Sequence, residues 1–217
     1  MFAVKYTIYM FFSDFINQIH RFQHSSLGGI QSQFKLAPEL RKKYSEEMIL
    51  TKTPKQAAVL ALFYPDEYNR TNFLLTQRAS YKGTHSAQIS FPGGKVDNQD
   101  NTLEETALRE TDEEVGVTTN EITIIRQLSN TYIPPSNFLV APFMGFCEHK
   151  PSFIPNNEVA NIIEVLVEDL LDDNNIISVP MNTSYMQNIE VPCFKLNDYI
   201  VWGATAMMLS EIKDLIK

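Results

Sequence analysis

The chain has 217 residues, 44% of them hydrophobic and 20% charged, and a formal net charge of −8. That length can bury a substantial core, and it suits one domain, residues 51–217, behind an N-terminal helical extension, residues 1–50. The charge excludes nucleic acid and anionic membrane as partners held by bulk electrostatics. It also repels a phosphorylated substrate unless cations reverse the field locally.

The leader, residues 1–12, is apolar but lacks a basic start and a small-residue cleavage site, so it reads as a frayed or packed segment with Met10 as an alternative start. No run approaches the length of a membrane span. A short helix is expected over 14–22, with Phe15, Ile16 and Ile19 on one side, and a second over 38–48 with Pro38 in its first turn. The apolar run 56–64 is expected to be a central strand, returning after a polar turn as a second strand over 72–78. A short strand over 88–91 leads into a glycine turn. Beyond the helix described below, 121–128 is a strand and 129–137 an extended loop holding Pro134 and Pro135. Another strand covers 138–147, where Pro142 implies an edge position or a bulge. A strand over 162–167 and a short helix over 168–172 precede a late hairpin, 189–194 with 199–202. A closing helix over 203–216 turns Ala206, Leu209, Ile212 and Ile216 inward, with Trp202 buried before it. Cys147 and Cys193 read as buried free thiols of a reducing, cytoplasmic protein, although a disulfide between them stays open. Strands, a helix, more strands and a final helix make this an α/β fold with a mixed sheet and helices on both faces.

The chemistry concentrates in residues 91–117, FPGGKVDNQDNTLEETALRETDEEVGV. Thr102 with Glu105 forms a capping box, and Gly116 supplies the left-handed stop. Between them Leu103, Ala107, Thr111 and Val115 form one packing stripe. Glu110, Glu113 and Glu114 share the neighbouring face, and Glu105 precedes Arg109 by one turn, the favoured order for an ion pair. Three adjacent carboxylates repel and raise one another's pKa unless a cation is present. A solvated acidic face is the ordinary reading of such a run. The glycine turn, the capped helix and the ordered acids favour a site for a hard divalent cation held with phosphate oxygens.

This window resembles the Nudix box, G-x5-E-x7-R-E-U-x-E-E-x-G-U with U apolar, the signature of hydrolases that cut nucleoside diphosphates linked to another group. The half from Arg109 to Val117 matches, with Thr111 at a usually aliphatic position. The spacing from Gly94 to Arg109 is one residue longer, and Asn101 stands where the early glutamate belongs. The resemblance implies a Nudix-type α/β/α sandwich with a mixed sheet. It also implies Mg²⁺ or Mn²⁺ held by Glu110, Glu113 and Glu114.

A second resemblance is more selective. Leu74-Leu75-Thr76-Gln77-Arg78-Ala79, then His85-Ser86-Ala87-Gln88-Ile89-Ser90-Phe91-Pro92-Gly93-Gly94, is similar to the segment marking the coenzyme A pyrophosphatase group. So are the box opening through Lys95, Asp97 and Asp100, and the strings Pro135-Ser136-Asn137-Phe138, Asn157-Glu158-Val159 and Trp202-Gly203-Ala204-Thr205. The group's usual second arginine is here Gly83, with Lys82 beside it, and its usual glycine before Gln88 is Ala87. The implied catalytic set is Glu113, Glu114 and Glu158, with Glu113 as ligand or base. The implied substrate contacts are Arg78, Lys82, His85, Lys95 and Ser136. Arg78 reads equally as one side of a cross-strand ion pair, Lys95 as an exposed loop lysine, Glu158 as a solvated glutamate and His85 as a residue bonded within its loop. The implied reaction is hydrolysis of CoA or acyl-CoA to 3′,5′-ADP and 4′-phosphopantetheine or its acylated form, by a monomer or homodimer. The rival readings are a hydrolase of ADP-ribose or a dinucleoside polyphosphate, and a nucleotide sensor of the same fold without catalysis.

Overall fold

A computed structural model describes residues 10–42, 44, 46–79, 88–183 and 186–217. Lys82 and His85, with the departures Gly83 and Ala87, lie outside the described residues. In chain order the elements are α1 (Phe12–Asn17), α2 (Ile19–His24), α3 (Gly29–Phe34) and α4 (Glu46–Leu50), then strands β1 (Lys55–Pro65), β2 (Thr71–Arg78), β3 (Ile89–Ser90) and β4 (Gly93–Lys95). Helix α5 (Leu103–Val115) follows, then β5 (Thr123–Gln127), β6 (Thr131–Ile133), β7 (Phe138–Phe146) and β8 (Val159–Leu166). The chain closes with α6 (Val167–Leu171), β9 (Ile176–Thr183), β10 (Met186–Leu196), β11 (Tyr199–Trp202) and α7 (Gly203–Ile216).

Strand β1 explains the layering. Its side chains alternate, so Ala57, Ala61 and Phe63 enter one core while Ala58, Leu60, Leu62 and Tyr64 enter another. The first core includes Leu209 and Ile212 of α7 and Phe15 and Phe22 of the N-terminal helices; the second includes Ala107 and Val115 of α5. A strand buried on both faces reads as one continuous apolar run, which is what the sequence presents. The pairing of β1 with β7 is parallel, and the remaining pairings of this sheet are antiparallel. The sheet is therefore mixed and covered by helices on both faces, as expected.

One irregularity of the sheet creates the site. On the side away from β7, β1 pairs with β2 only near Phe63 and with β4 near Ala58, while β2 in turn pairs with β3 near Thr76. The two long strands part, and residues 89–95 enter the gap. The glycine turn is thus held by strands on both sides, facing α5.

Several expectations are corrected. Pro142 lies on an interior strand, between β1 and the pair β5 and β6. It is tolerated there because β5 ends opposite Phe143 and β6 begins opposite Val140, so the missing N–H falls at the break between two partners. The bulge is in β5, between Ile124 and Arg126. The loop expected over 129–137 contains β6 and a 3₁₀ turn, Pro134–Ser136. The helix expected over 14–22 is broken at Gln18, and that over 38–48 reduces to a 3₁₀ turn, Glu39–Arg41, and α4. The late hairpin has a third strand, β9. Trp202 is half-buried rather than buried.

Candidate active site

Helix α5 begins and ends where its sequence dictates. The Thr102 hydroxyl accepts the Glu105 N–H at 3.1 Å, and Gly116 closes the helix at φ 74°. The reciprocal half of the capping box is displaced, because Glu105 Oε2 accepts the Asn101 N–H at 2.6 Å. Ala107, Thr111 and Val115 are buried, and the Thr111 hydroxyl is satisfied by the Ala107 carbonyl at 2.7 Å. This fixes the neighbouring, acidic face toward the glycine turn.

Glu105 does not pair with Arg109. Instead Asp100 takes Arg109 through two bonds, Nε to Oδ1 at 2.9 Å and Nη2 to Oδ2 at 2.8 Å. The Asp100 carboxylate also accepts the Thr106 hydroxyl and the Asp97 N–H, each at 2.8 Å. The Arg109 guanidinium holds that carboxyl well below the usual range, against the opposing effect of burial. Asp100 therefore fills the place that the missing early glutamate left open, and the longer loop is what brings it to Arg109. The sequence carried a signal for it, an acid just ahead of the cap and nine residues before the arginine.

Arg109 continues into the cluster, donating through Nη1 to Glu110 at 3.0 Å and Glu113 at 3.3 Å, and through Nη2 to the Lys95 carbonyl at 3.1 Å. Glu110 and Glu114, one helical turn apart, both reach the glycine turn. Glu114 Oε2 accepts the Gly93 N–H at 3.2 Å. A Cβ on Gly94 would stand 2.4 Å from the Glu110 carboxyl, and one on Gly93 would stand 2.3 Å from the Ala58 carbonyl. Only glycine lets the turn approach both the helix and β1.

Exposure divides the carboxylates. The side chains of Glu114 and Glu110 are 6% and 18% exposed, while those of Glu113 and Glu158 are 57% and 61% exposed. Burial pushes the Glu114 carboxyl up to about 7, with Arg78 and the Gly93 N–H pulling the other way and Glu110 and Glu158 adding to the rise. Burial also raises Glu110. Arg78 stands at the end of β2 with Nη1 3.5 Å from Glu114 and Nη2 3.1 Å from Glu158. Arg78 is thus an ion-pair partner of both carboxylates. Lys95 is exposed, its ammonium 5.8 Å from the centre of the Phe138 ring. Ser136 lies in the 3₁₀ turn two residues before Phe138 in sequence.

Oxygen donors only, one buried and one half-buried, converging on one backbone turn, fit a hard divalent cation. As placed, no three His, Cys, Asp or Glu side chains among the described residues form a chelating group, and the two arginines occupy the carboxylates instead. A pH prediction follows from Glu114. Its folded pKa lies above the unfolded value near 4, so its contribution to stability is greatest in acid and falls as pH rises toward about 7. A cation taking the ionised carboxylate relieves that penalty. Mn²⁺ is expected to raise the melting temperature more at about pH 8 than at about pH 5.5. Equal increments in scanning calorimetry would count against Glu114 as a ligand.

A family model described as NUDIX domain matches residues 54–181, more than half of the chain. Nudix hydrolase 15, mitochondrial, of Arabidopsis thaliana is 32% identical over 162 residues, covering 72% of this chain and 56% of that protein. An uncharacterized Nudix hydrolase, NudL, of Pectobacterium atrosepticum is 29% identical over 187 residues, covering 83% of this chain and 88% of that protein. The chain spans about half the length of the Arabidopsis relatives it matches, 56% of one and 53% of another. A MutT/nudix family protein of Enterococcus faecalis shares the fold, with a TM-score of 0.53 and 17% identity over 100% of this chain and 76% of that one. The family consists of hydrolases of phosphorus anhydrides that generally use divalent metal ions. With the family model spanning the glycine turn and its acidic helix, the chain belongs to the Nudix family.

Proposed function

We propose that this protein is a divalent-metal-dependent pyrophosphohydrolase acting on coenzyme A or an acyl-CoA. The observation that carries the reaction class is the convergence of Glu110 and Glu114 on the Gly93-Gly94 turn, with the Arg78 guanidinium 3.5 Å from Glu114. The choice of CoA is supported by the segment from Leu74 to Gly94 and by the longer loop, in which Asp100 secures Arg109. Residues 1–50 are taken as an extension of the hydrolase domain, and the compartment as the cytoplasm.

Glu110 and Glu114, with Glu113, would hold the cation. When bound, Mg²⁺ or Mn²⁺ neutralises the diphosphate and makes water a better nucleophile at neutral pH. Arg78 and Lys95 orient the diphosphate, leaving catalysis as positioning and electrostatic stabilisation. Water attacks one phosphorus, the bond from phosphorus to the bridging oxygen breaks, and the water proton passes to an accessible carboxylate, Glu158 or Glu113. The thiol or thioester end is far along a flexible arm, so the acyl group need not be read closely. The 3′-phosphate needs a cation, for which Arg78 and Lys82 are the candidates in a protein of net charge −8.

The test is a comparison of kcat/KM for CoA, acyl-CoA, dephospho-CoA and ADP-ribose. CoA species are expected to lead, and dephospho-CoA to fall behind by about tenfold or more for loss of a charged hydrogen bond. Much faster cleavage of ADP-ribose would reassign the substrate while leaving the reaction class in place.

A further inference from the structure

Arg78 closes β2 between two acidic segments. One guanidinium spans both, Nη1 at 3.5 Å from Glu114 Oε1 and Nη2 at 3.1 Å from Glu158 Oε2. The surrounding main chain is pinned. The Ala79 N–H donates to the Glu158 carbonyl at 2.7 Å, and the Asn156 N–H donates to the Glu114 carbonyl at 3.0 Å. The Asn156 side chain accepts the Glu158 N–H at 2.8 Å. Carboxylates and arginine therefore part or meet by side-chain movement alone.

The two arginines of the cluster differ in how they are held. Arg109 is fastened to Asp100 by two bonds and to the Lys95 carbonyl by a third. Among the described residues the hydrogen-bond partners of the Arg78 guanidinium are the two carboxylates alone, one of them at the limit of a hydrogen bond, and its Nε is buried without a partner. A buried donor without an acceptor is costly, and a substrate oxygen can remove that cost. One of the acids it holds, Glu114, is an acid a cation would take.

We infer that Arg78 is the resident counter-ion of the metal site, displaced by the divalent cation and then handed to the substrate diphosphate. This rests on the metal-site reading given above. Before a cation arrives, Arg78 screens Glu114 from Glu158 and keeps the pair from repelling. A divalent ion on Glu114 competes with it directly, and the released guanidinium lies beside the anion that the ion attracts. Metal thus binds before substrate, because a diphosphate arriving first meets an arginine already neutralised by two carboxylates.

The test is titration of Mn²⁺ by calorimetry, without substrate, into the full-length wild type and the variants Arg78→Ala, Arg78→Gln and Glu114→Gln. Arg78→Ala is expected to bind Mn²⁺ about fivefold more tightly, the size set by removing one partly exposed ion pair. Its KM for CoA is expected to rise about tenfold or more, with kcat changed less. Arg78→Gln keeps a donor without the charge and gives the same tightening if the alanine variant fails to fold. Unchanged or weaker Mn²⁺ binding in the arginine variants, with weaker binding in Glu114→Gln, overturns the counter-ion role and leaves the metal site standing. Tighter Mn²⁺ binding with unchanged KM overturns the handover to substrate. Unchanged Mn²⁺ binding in Glu114→Gln overturns the metal-site reading itself.

Discussion

Glu114→Gln is expected to lower turnover by at least about a hundredfold while the protein stays folded. The substitution keeps the shape and helix propensity of the side chain, so α5 and its caps are undisturbed. The amide can still accept the Gly93 N–H through its oxygen, which preserves the anchor to the glycine turn. What disappears is the negative charge at the most buried of the carboxylates on α5, 6% exposed, where a cation gains most from it. Loss of one buried ligand of a hard cation weakens both the hold on the metal and the stabilisation of charge on phosphorus. Burial penalises the ionised carboxylate, so the glutamine variant without metal is expected to melt no lower than wild type at neutral pH. Activity and calorimetry on the same preparation separate the two effects. Near-normal turnover would remove Glu114 from the metal site.

Truncation before Gly203 is expected to abolish soluble, cooperatively folded protein. Helix α7 buries Met207, Met208, Leu209, Ile212, Leu215 and Ile216 in addition to Ala206. At about 1.5 kcal/mol or more for each large side chain, their loss amounts to roughly 9 kcal/mol, comparable with the whole stability of an ordinary domain. Polar contacts go with them. Glu211, fully buried, accepts the Gly29 N–H at 2.8 Å and the Ser129 hydroxyl at 2.6 Å. Lys213 donates to the Leu170 carbonyl at 2.6 Å, and Thr205 to the Ile89 carbonyl at 2.9 Å, on the strand that leads into the glycine turn. Helix α7 therefore holds the N-terminal helices, α6 and the approach to the site together. A soluble truncation with a single sharp melting transition would make α7 an appendage.

What could be read in the sequence follows the range of the interactions. Helix α5 was legible because its cap, stripe and glycine stop are all local, and β1 because burial on both faces leaves an unbroken apolar run. Strand β9 was not. The stretch 176–183 carries Pro180 and Asn182, and it is a strand through its pairing with β10. Burial of α7 beyond its apolar stripe is not legible locally, because Glu211 and Lys213 are charged yet buried. The N-terminal helices and the turn after α6 cover them with polar partners. In the site, Glu110, Glu113 and Glu114 were visible from helical spacing. Arg78 meets Glu114 and Glu158 across 36 and 80 residues of sequence, a convergence made by the split between β1 and β2. Asp100 was passed over because the box pattern put an acid at the next position, where Asn101 stands. Its role comes from the bidentate geometry with Arg109.

The most direct measurement is incubation of the purified full-length protein with CoA, with and without Mg²⁺ or Mn²⁺, and identification of the products by mass. Metal-dependent appearance of 3′,5′-ADP and 4′-phosphopantetheine in equal amounts, lost in Glu114→Gln, is the predicted result. Intact CoA under all conditions, or cleavage anywhere but the diphosphate, would contradict it.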